Sequence, residues 1–281
     1  MLKLMYITNQ PEIARIAESA GVDRIFVDME FIGKDERQKC LDTVKSHHTA
    51  QDVAKVKRAV ATTEVLVRVN PIHDKLPDYY SSKDEINSVI KAGADVIMLP
   101  YFKTVEEVKT FIQLVNGRAR TMLLLETPEA VERVDEILTV DGIDEVHIGL
   151  NDLSIGYGRS FMFELLTDGT VEQLCFKFRK KGIPFGFGGI ASIGKGALPS
   201  EYIIKEHYRL GSTCVILSRS FCDVTKVRNI DMINATFIRG VKEIRELEHE
   251  CEQHSKFFFD NEKEVSRLVN RISKGMGSGI E

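Results

Sequence analysis

The sequence lacks the marks of several protein classes. Its five cysteines, Cys40, Cys175, Cys214, Cys222 and Cys251, are scattered and form no CxxC pair. That is the pattern of reduced thiols in the cytoplasm, and no surrounding motif marks any of them as a nucleophile. Cys214 stands in an apolar run and is expected to be a small core residue. No apolar run approaches the ~20 residues a membrane-spanning helix needs. The opening MLKLMYITNQPE turns polar too quickly to read as a signal peptide. There is no excess of positive charge: the net charge of -4 argues against nucleic acid or an anionic membrane as the main partner. Nor is there a low-complexity block or a long internal repeat. A cytoplasmic location is the expectation that the thiol pattern supports.

What is present alternates between strand and helix. The 281 residues are 43% hydrophobic and 28% charged, ordinary for a soluble globular chain and ample for a large core. The clearest unit is residues 121–154, TMLLLETPEAVERVDEILTVDGIDEVHIGLNDLS. TMLLLE is a short apolar run that stops at Glu126. Thr127-Pro128 punctuates it, because proline in a first helical turn forfeits no intrahelical hydrogen bond. PEAVERVDEIL then carries Ala130, Val131, Val134, Ile137 and Leu138 at helical spacing, Asp141-Gly142 makes the turn, and IDEVHIG predicts a second strand. Asn151, Asp152 and Ser154 are expected in the loop that follows. Parallel strands joined by a helix are neighbours, so the end carrying Glu126 and the loop carrying Asp152 should lie side by side. Two converging carboxylates repel unless a cation separates them, and a hard divalent ion with oxygen ligands is the usual solution. The plainer alternative is that Glu126 caps one helix and Asp152 starts the next.

The alternation runs in both directions. Strands are predicted at 2–8, 24–30, 64–70, 95–100, at the two runs just described, and at 183–189 and 212–220. Helices fall between them. One follows a Ser46-His47-His48-Thr49 break, and another opens on Thr104 with a capping-box pattern. Eight short strands separated by helices fit a TIM (β/α)8 barrel better than a doubly wound sheet, whose first turn would be glycine-rich where this chain has ITNQPE. The predicted organisation is an α/β barrel over 1–223, a charged C-terminal helical extension over 224–273 with apolar Phe237, Val241, Ile244 and Leu247, and a disordered tail over 274–281. The extension either completes the last barrel helix and packs on a partner subunit or hangs as an exposed amphipathic tail, and an oligomer contact is the expectation.

In such a barrel the chemistry sits at the carboxyl ends of the strands. Those ends offer Asp28 and Glu30, Arg68 and Asn70, Tyr101 and Lys103, Glu126, then Asn151, Asp152 and Ser154, then Gly186, Gly188 and Gly189, and finally Ser218 and Arg219. This acidic set with one well-placed arginine suits a divalent ion holding a 2-oxo carboxylate, with Arg68 paired to substrate charge. Arg68 has an alternative as a structural salt bridge to Asp28 or Glu30. The three glycines either admit a ligand's close approach or relieve crowding at the rim.

VDME at strand two, LVRVNP at strand three, DVIMLP followed by TVEEV, LLLETPEAV at strand five and IGLNDLSIGYG after strand six together resemble the HpcH/HpaI aldolase and citrate lyase family, part of the phosphoenolpyruvate/pyruvate barrel superfamily. The resemblance covers roughly residues 20–220. It implies that Glu126 and Asp152 bind a divalent metal, magnesium or manganese. It further implies that Arg68 binds the carboxylate or enolate oxygen of a pyruvate-like unit and that Glu30 holds metal-bound water, with Asp28 beside it in the catalytic set. The implied activity is metal-dependent carbon–carbon cleavage, or its reverse, through an enolate of a 2-oxo acid or acyl-thioester. A homo-oligomer, trimer or hexamer, is implied as well. Two positions depart from the aldolase branch: Phe31 stands where a histidine follows the strand-two glutamate, and Leu124 where a glutamine precedes the metal glutamate. His47, His48 and His73 are alternative bases or plain surface residues, and His147 reads as a packed or rim residue. Two rival functions stay open: a phosphoenolpyruvate- or pyruvate-handling transferase, and a metal-binding barrel without turnover.

Overall fold

A computed structural model describes residues 1–34, 48–253 and 257–275. Eight parallel strands close into a barrel in chain order, β1 pairing with both β2 and β8. They are β1 Lys3–Ile7, β2 Arg24–Asp28, β3 Glu64–Arg68, β4 Val96–Leu99, β5 Arg120–Leu125, β6 Glu145–Ile148, β7 Phe185–Ile190 and β8 Cys214–Leu217. The TIM barrel predicted from the alternation is therefore the fold. The strands are shorter than the apolar runs suggested, so Glu30, Asn70 and Glu126 lie just past their strand ends rather than within them.

The helices follow from local chemistry. They are α1 Pro11–Ser19, α2 Ala50–Ala59, α3 Ser82–Ala92, α4 Val105–Val115, α5 Pro128–Glu132, α6 Val134–Ile137, α7 Leu150–Gly156, α8 Glu164–Thr167, α9 Thr170–Lys181, α10 Ser200–Leu210, α11 Ile230–Gln253 and α12 Phe257–Ser273. Thr49 and Thr104 close capping boxes with Asp52 and Glu107, satisfying backbone N–H groups that a helix start leaves unpaired. Two local expectations change. The segment after Pro128 is two short helices broken at Arg133, not one. Asn151, Asp152 and Ser154 lie on α7, not in a loop, with Asp152 in its first turn. The expected break at Ser46-His47 and the end of the tail fall outside the described residues.

The C-terminal segment folds back on the barrel. Helix α11 packs against α1 and α10, taking the eighth position in the outer ring, and α12 packs on α10 and α8. Buried Glu248 on α11 accepts the N–H of Leu2 and a bond from Arg245, which also reaches Asp23 at 2.8 Å. Among the described residues no helix is long and apolar enough to cross a membrane.

Side chains alternate across each strand, so every second residue faces the barrel axis. The outer-facing set, including Ile25, Val27, Val65 and Val67, packs under the helices. The inner set is stacked in three tiers. At the amino-terminal end, fully buried Arg24 bonds Glu64 at 2.7 Å and forks onto Glu145 at 2.7 and 2.6 Å, with Arg120 completing the group. Above it lies an apolar tier containing Met5, Phe26, Leu66, Met98 and Met122. The third tier, at the carboxyl-terminal mouth, is again ionic and starts with the register pair Asp28 and Arg68.

Truncating one member of a buried ion group strands the others. Arg24→Ala leaves Glu145 buried without its fork, an expected loss of roughly 3–5 kcal/mol. A urea titration measures it; a loss under about 1 kcal/mol, the size of an exposed pair, would contradict the tiered interior.

Candidate active site at the barrel mouth

Closure of the barrel makes Asp28 and Arg68 direct neighbours across β2 and β3. Arg68 Nε donates to Asp28 Oδ1 at 2.8 Å and Nη2 to Oδ2 at 2.7 Å, a bidentate pair. Its Nη1 lies 3.3 Å from Glu30 Oε2. Below, the ring of Phe26 supports the guanidinium at 5.5 Å. A guanidinium has five N–H groups; these three contacts use one each on Nε, Nη1 and Nη2. Arg68 also helps to line the cavity beside Glu126 and Asp152, and the two N–H groups these contacts leave over are the ones available to a ligand there. Burial alone would raise the Asp28 carboxyl, but Arg68 and then Lys34 outweigh it and hold Asp28 well below the usual carboxylate range.

The loops after β2 and β3 are fastened to each other. Asn70 accepts the N–H groups of Phe31 and Ile32 at 2.9 Å each, and its amide donates to buried Glu85 at 2.8 Å. Phe31, in the position where a histidine was the expected base, meets Tyr79 edge to face at 4.7 Å. His48 Nδ1 accepts the Asp28 N–H at 3.0 Å, while both ring nitrogens of His73 face backbone carbonyls. His47 lies outside the described residues.

Glu126 is buried directly after β5. Its Oε1 accepts the N–H of Tyr101, a residue held at the left-handed φ of 49°. The turn before α7 runs hard against its other side: a Cβ on Gly149 would come within 2.6 Å of Glu126 Oε2. Only glycine permits that approach, and it brings the first turn of α7, with half-buried Asp152, beside Glu126. The cap of α5 is Thr127 rather than Glu126, since Thr127 Oγ1 accepts the N–H of Ala130.

Arg68, Glu126, Asn151 and Asp152 line one cavity of 180 Å³ with Leu124 and His147. At the ~30 Å³ of one liquid water molecule, it holds about six small groups. Asp28 and Glu30 stand behind Arg68 in its ion-pair cluster. A larger groove of 890 Å³ lies beyond Phe31, between His48 and Tyr80, and is lined by none of Arg68, Glu126 and Asp152.

Two residues carry more than their sequence positions suggested. His147, read as a packed or rim residue, is buried yet lines the cavity. Its Nε2 bonds the Gly188 carbonyl at 3.0 Å, which leaves Nδ1 unprotonated beside Cys214 Sγ at 3.8 Å. Burial, with help from the positive Arg68 and Arg24 and against the bond to Gly188, lowers its pKa to about 4, so the ring is neutral at pH 7. Lys34, which the sequence did not single out, is buried against Asp28 and Glu30. The i, i+4 spacing from Glu30 was the available signal.

A parallel eight-stranded barrel with acids and an arginine at its carboxyl-terminal mouth is a TIM barrel with polar groups at the face where that fold carries its sites. Comparison narrows the class. The pattern of the HpcH/HpaI aldolase/citrate lyase family matches residues 3–166, more than half the chain, and the protein belongs to that family. The 2-keto-3-deoxy-L-rhamnonate aldolase of Escherichia coli is 24% identical over 176 residues, covering 52% of this chain and 58% of the aldolase. The match thus spans little more than half the length of that relative. An HpcH/HpaI aldolase/citrate lyase family protein from Burkholderia cenocepacia superposes with a TM-score of 0.59 at 16% identity, over 87% of this chain and 95% of that one. An HpcH/HpaI aldolase from Desulfitobacterium hafniense gives 0.58 at 18%, over 83% and 92%. At such identities the superpositions establish the fold.

Because the folded-state pKa of Asp28 is depressed, its contribution to stability is complete above the ordinary carboxyl value of about 4 and is lost as pH falls through the folded value. The stability deficit of Asp28→Asn, from urea midpoints, should be constant between about pH 7 and pH 5 and shrink below about pH 4. A deficit independent of pH throughout would contradict the pairing.

Proposed function

We propose that the protein is a divalent-metal-dependent carbon–carbon lyase acting on a pyruvate-like 2-oxo acid or an acyl-thioester through an enolate. The observation that carries this reading is the convergence of Arg68, Glu126 and Asp152 on one small cavity at the barrel mouth.

The donor set fits a hard cation. Glu126 and Asp152 offer carboxylate oxygens, and among the described residues no group of three or more histidines, cysteines or acids is placed to enclose a metal. A cation held by two carboxylates keeps positions for water and for substrate oxygens, the habit of magnesium and manganese. When bound there, the cation supplies Lewis-acid polarisation of the substrate carbonyl.

The chain's own residues do the rest. Arg68 directs its outer N–H groups at the negative charge that develops on the enolate oxygen or sits on the substrate carboxylate. Asp28, bidentate on Arg68, orients that guanidinium and keeps it charged; it positions rather than reacts. Glu30 stands with Asp28 behind Arg68 and outside the cavity lining, so it is assigned to holding the third arm of Arg68 in place of the metal-bound water that the family resemblance implied. Gly149 holds the two carboxylate-bearing segments together. Leu124, Phe26 and the neutral ring of His147 give the cavity a weakly polar wall, where each remaining charge interaction is strengthened. Arg68 beside the two carboxylates, a group that holding a cation does not require, favours turnover over a barrel that only binds metal. The cytoplasm and a homo-oligomeric state are part of the same reading.

Turnover is the direct test. Pyruvate release from a panel of hydroxy-oxo-acids, and acetyl-thioester release from acyl-thioesters, should require added magnesium or manganese. Glu126→Ala should reduce the rate by a factor on the order of 10³, as expected when a principal electrostatic group is removed. Turnover unchanged by chelation or by Glu126→Ala would overturn the assignment.

A further inference from the structure

The cluster behind Arg68 contains a cation that the proposed reaction does not use. Lys34 is buried, although a lysine's ammonium ordinarily reaches solvent. Its Nζ lies 3.0 Å from Asp28 Oδ2 and 3.5 Å from Glu30 Oε2. These are the same two oxygens that face Arg68, whose Nη2 is 2.7 Å from the first and Nη1 3.3 Å from the second. Arg68, Asp28, Lys34 and Glu30 therefore form a closed ring in which positive and negative groups alternate.

The ring bears on the cavity. Without Lys34, two buried carboxylates would face one guanidinium, and the group would carry a net negative charge. An anionic substrate approaching the outer edge of Arg68 would then meet a repulsive cluster, with Glu126 adding to it. With Lys34 in place the four charges cancel, and the outer N–H groups of Arg68 keep an attractive field. Lys34 does not itself line the cavity.

We propose that Lys34 is a positioning residue of this site: it shares the carboxylate load of Asp28 and Glu30 and thereby sets how tightly Arg68 holds an anionic, pyruvate-like substrate. The inference rests on the reading of Arg68 as the anion-binding group.

Calorimetric titration of the full-length protein with oxalate, a planar dianion shaped like pyruvate enolate, tests it in the presence of magnesium. Lys34→Met should weaken oxalate binding about tenfold. Lys34→Arg, which keeps the charge, should stay within about threefold. Glu30→Gln/Lys34→Met removes one charge of each sign and should recover most of the lost affinity, a response that a merely structural lysine would not give. Thermal unfolding shows which variants are folded at the titration temperature, and Lys34→Gln replaces Lys34→Met if the latter is not. Equal oxalate affinity in wild type and Lys34→Met, or no recovery in the double variant, overturns the role of Lys34 alone. A folded wild type that does not bind oxalate overturns the reading of Arg68 and the role of Lys34 with it.

Discussion

The bidentate pair between Arg68 and Asp28 is the interaction around which the mouth of this barrel is arranged. It exists because closure of the sheet puts the last residues of β2 and β3 in register, both pointing inward. A guanidinium with only 13% of its side chain exposed needs full pairing, and Asp28 supplies it through two parallel hydrogen bonds. With that edge fixed, Arg68 still lines the cavity and is available to a ligand there. Asn70, Glu85 and His48 then hold the backbone around the pair, and Phe26 supports it from below.

The barrel interior is a layered electrostatic structure with an apolar tier between two ionic ones. The lower tier, Arg24 with Glu64 and Glu145, is closed on itself and supports the fold. In the upper tier Arg68 keeps N–H groups at a cavity, and Glu126 and Asp152 stand beside it. The same chemistry thus serves architecture at one end and a site at the other. The difference is access: strand carboxyl ends open into loops that can be spaced around a ligand.

Much of this was legible from residue patterns. The alternation of short apolar runs with segments of helical spacing gave the barrel, and the order of strand ends brought Glu126, Asp152 and Arg68 to one mouth. Both readings of Arg68, structural pair and substrate group, were available from sequence, and the geometry accommodates both because a guanidinium has two edges. Other features were not legible. Asp152 looked like a loop residue because α7 is short and begins without a side-chain cap. The break at Arg133 leaves no proline or glycine in the sequence to announce it. His147 was read as a packed or rim residue and Lys34 was not singled out, because burial among charges depends on which strands and turns meet, and composition does not encode that. The first part of the extension, α11, completes the helical ring of this chain's own barrel by packing on α1 and α10, which leaves its expected role as an oligomer contact a proposal. The pattern of Phe237, Val241 and Ile244 describes an apolar face without saying what covers it.

The central claim is that Glu126 and Asp152 together hold one divalent cation beside Arg68. Titration with Mn2+ followed by electron paramagnetic resonance tests it without reference to any substrate. The account expects one tightly held Mn2+ per chain, competed by magnesium and lost in both Glu126→Ala and Asp152→Ala, with Arg68→Met still able to bind it. Absence of stoichiometric binding, or binding that survives both carboxylate substitutions, would contradict the account.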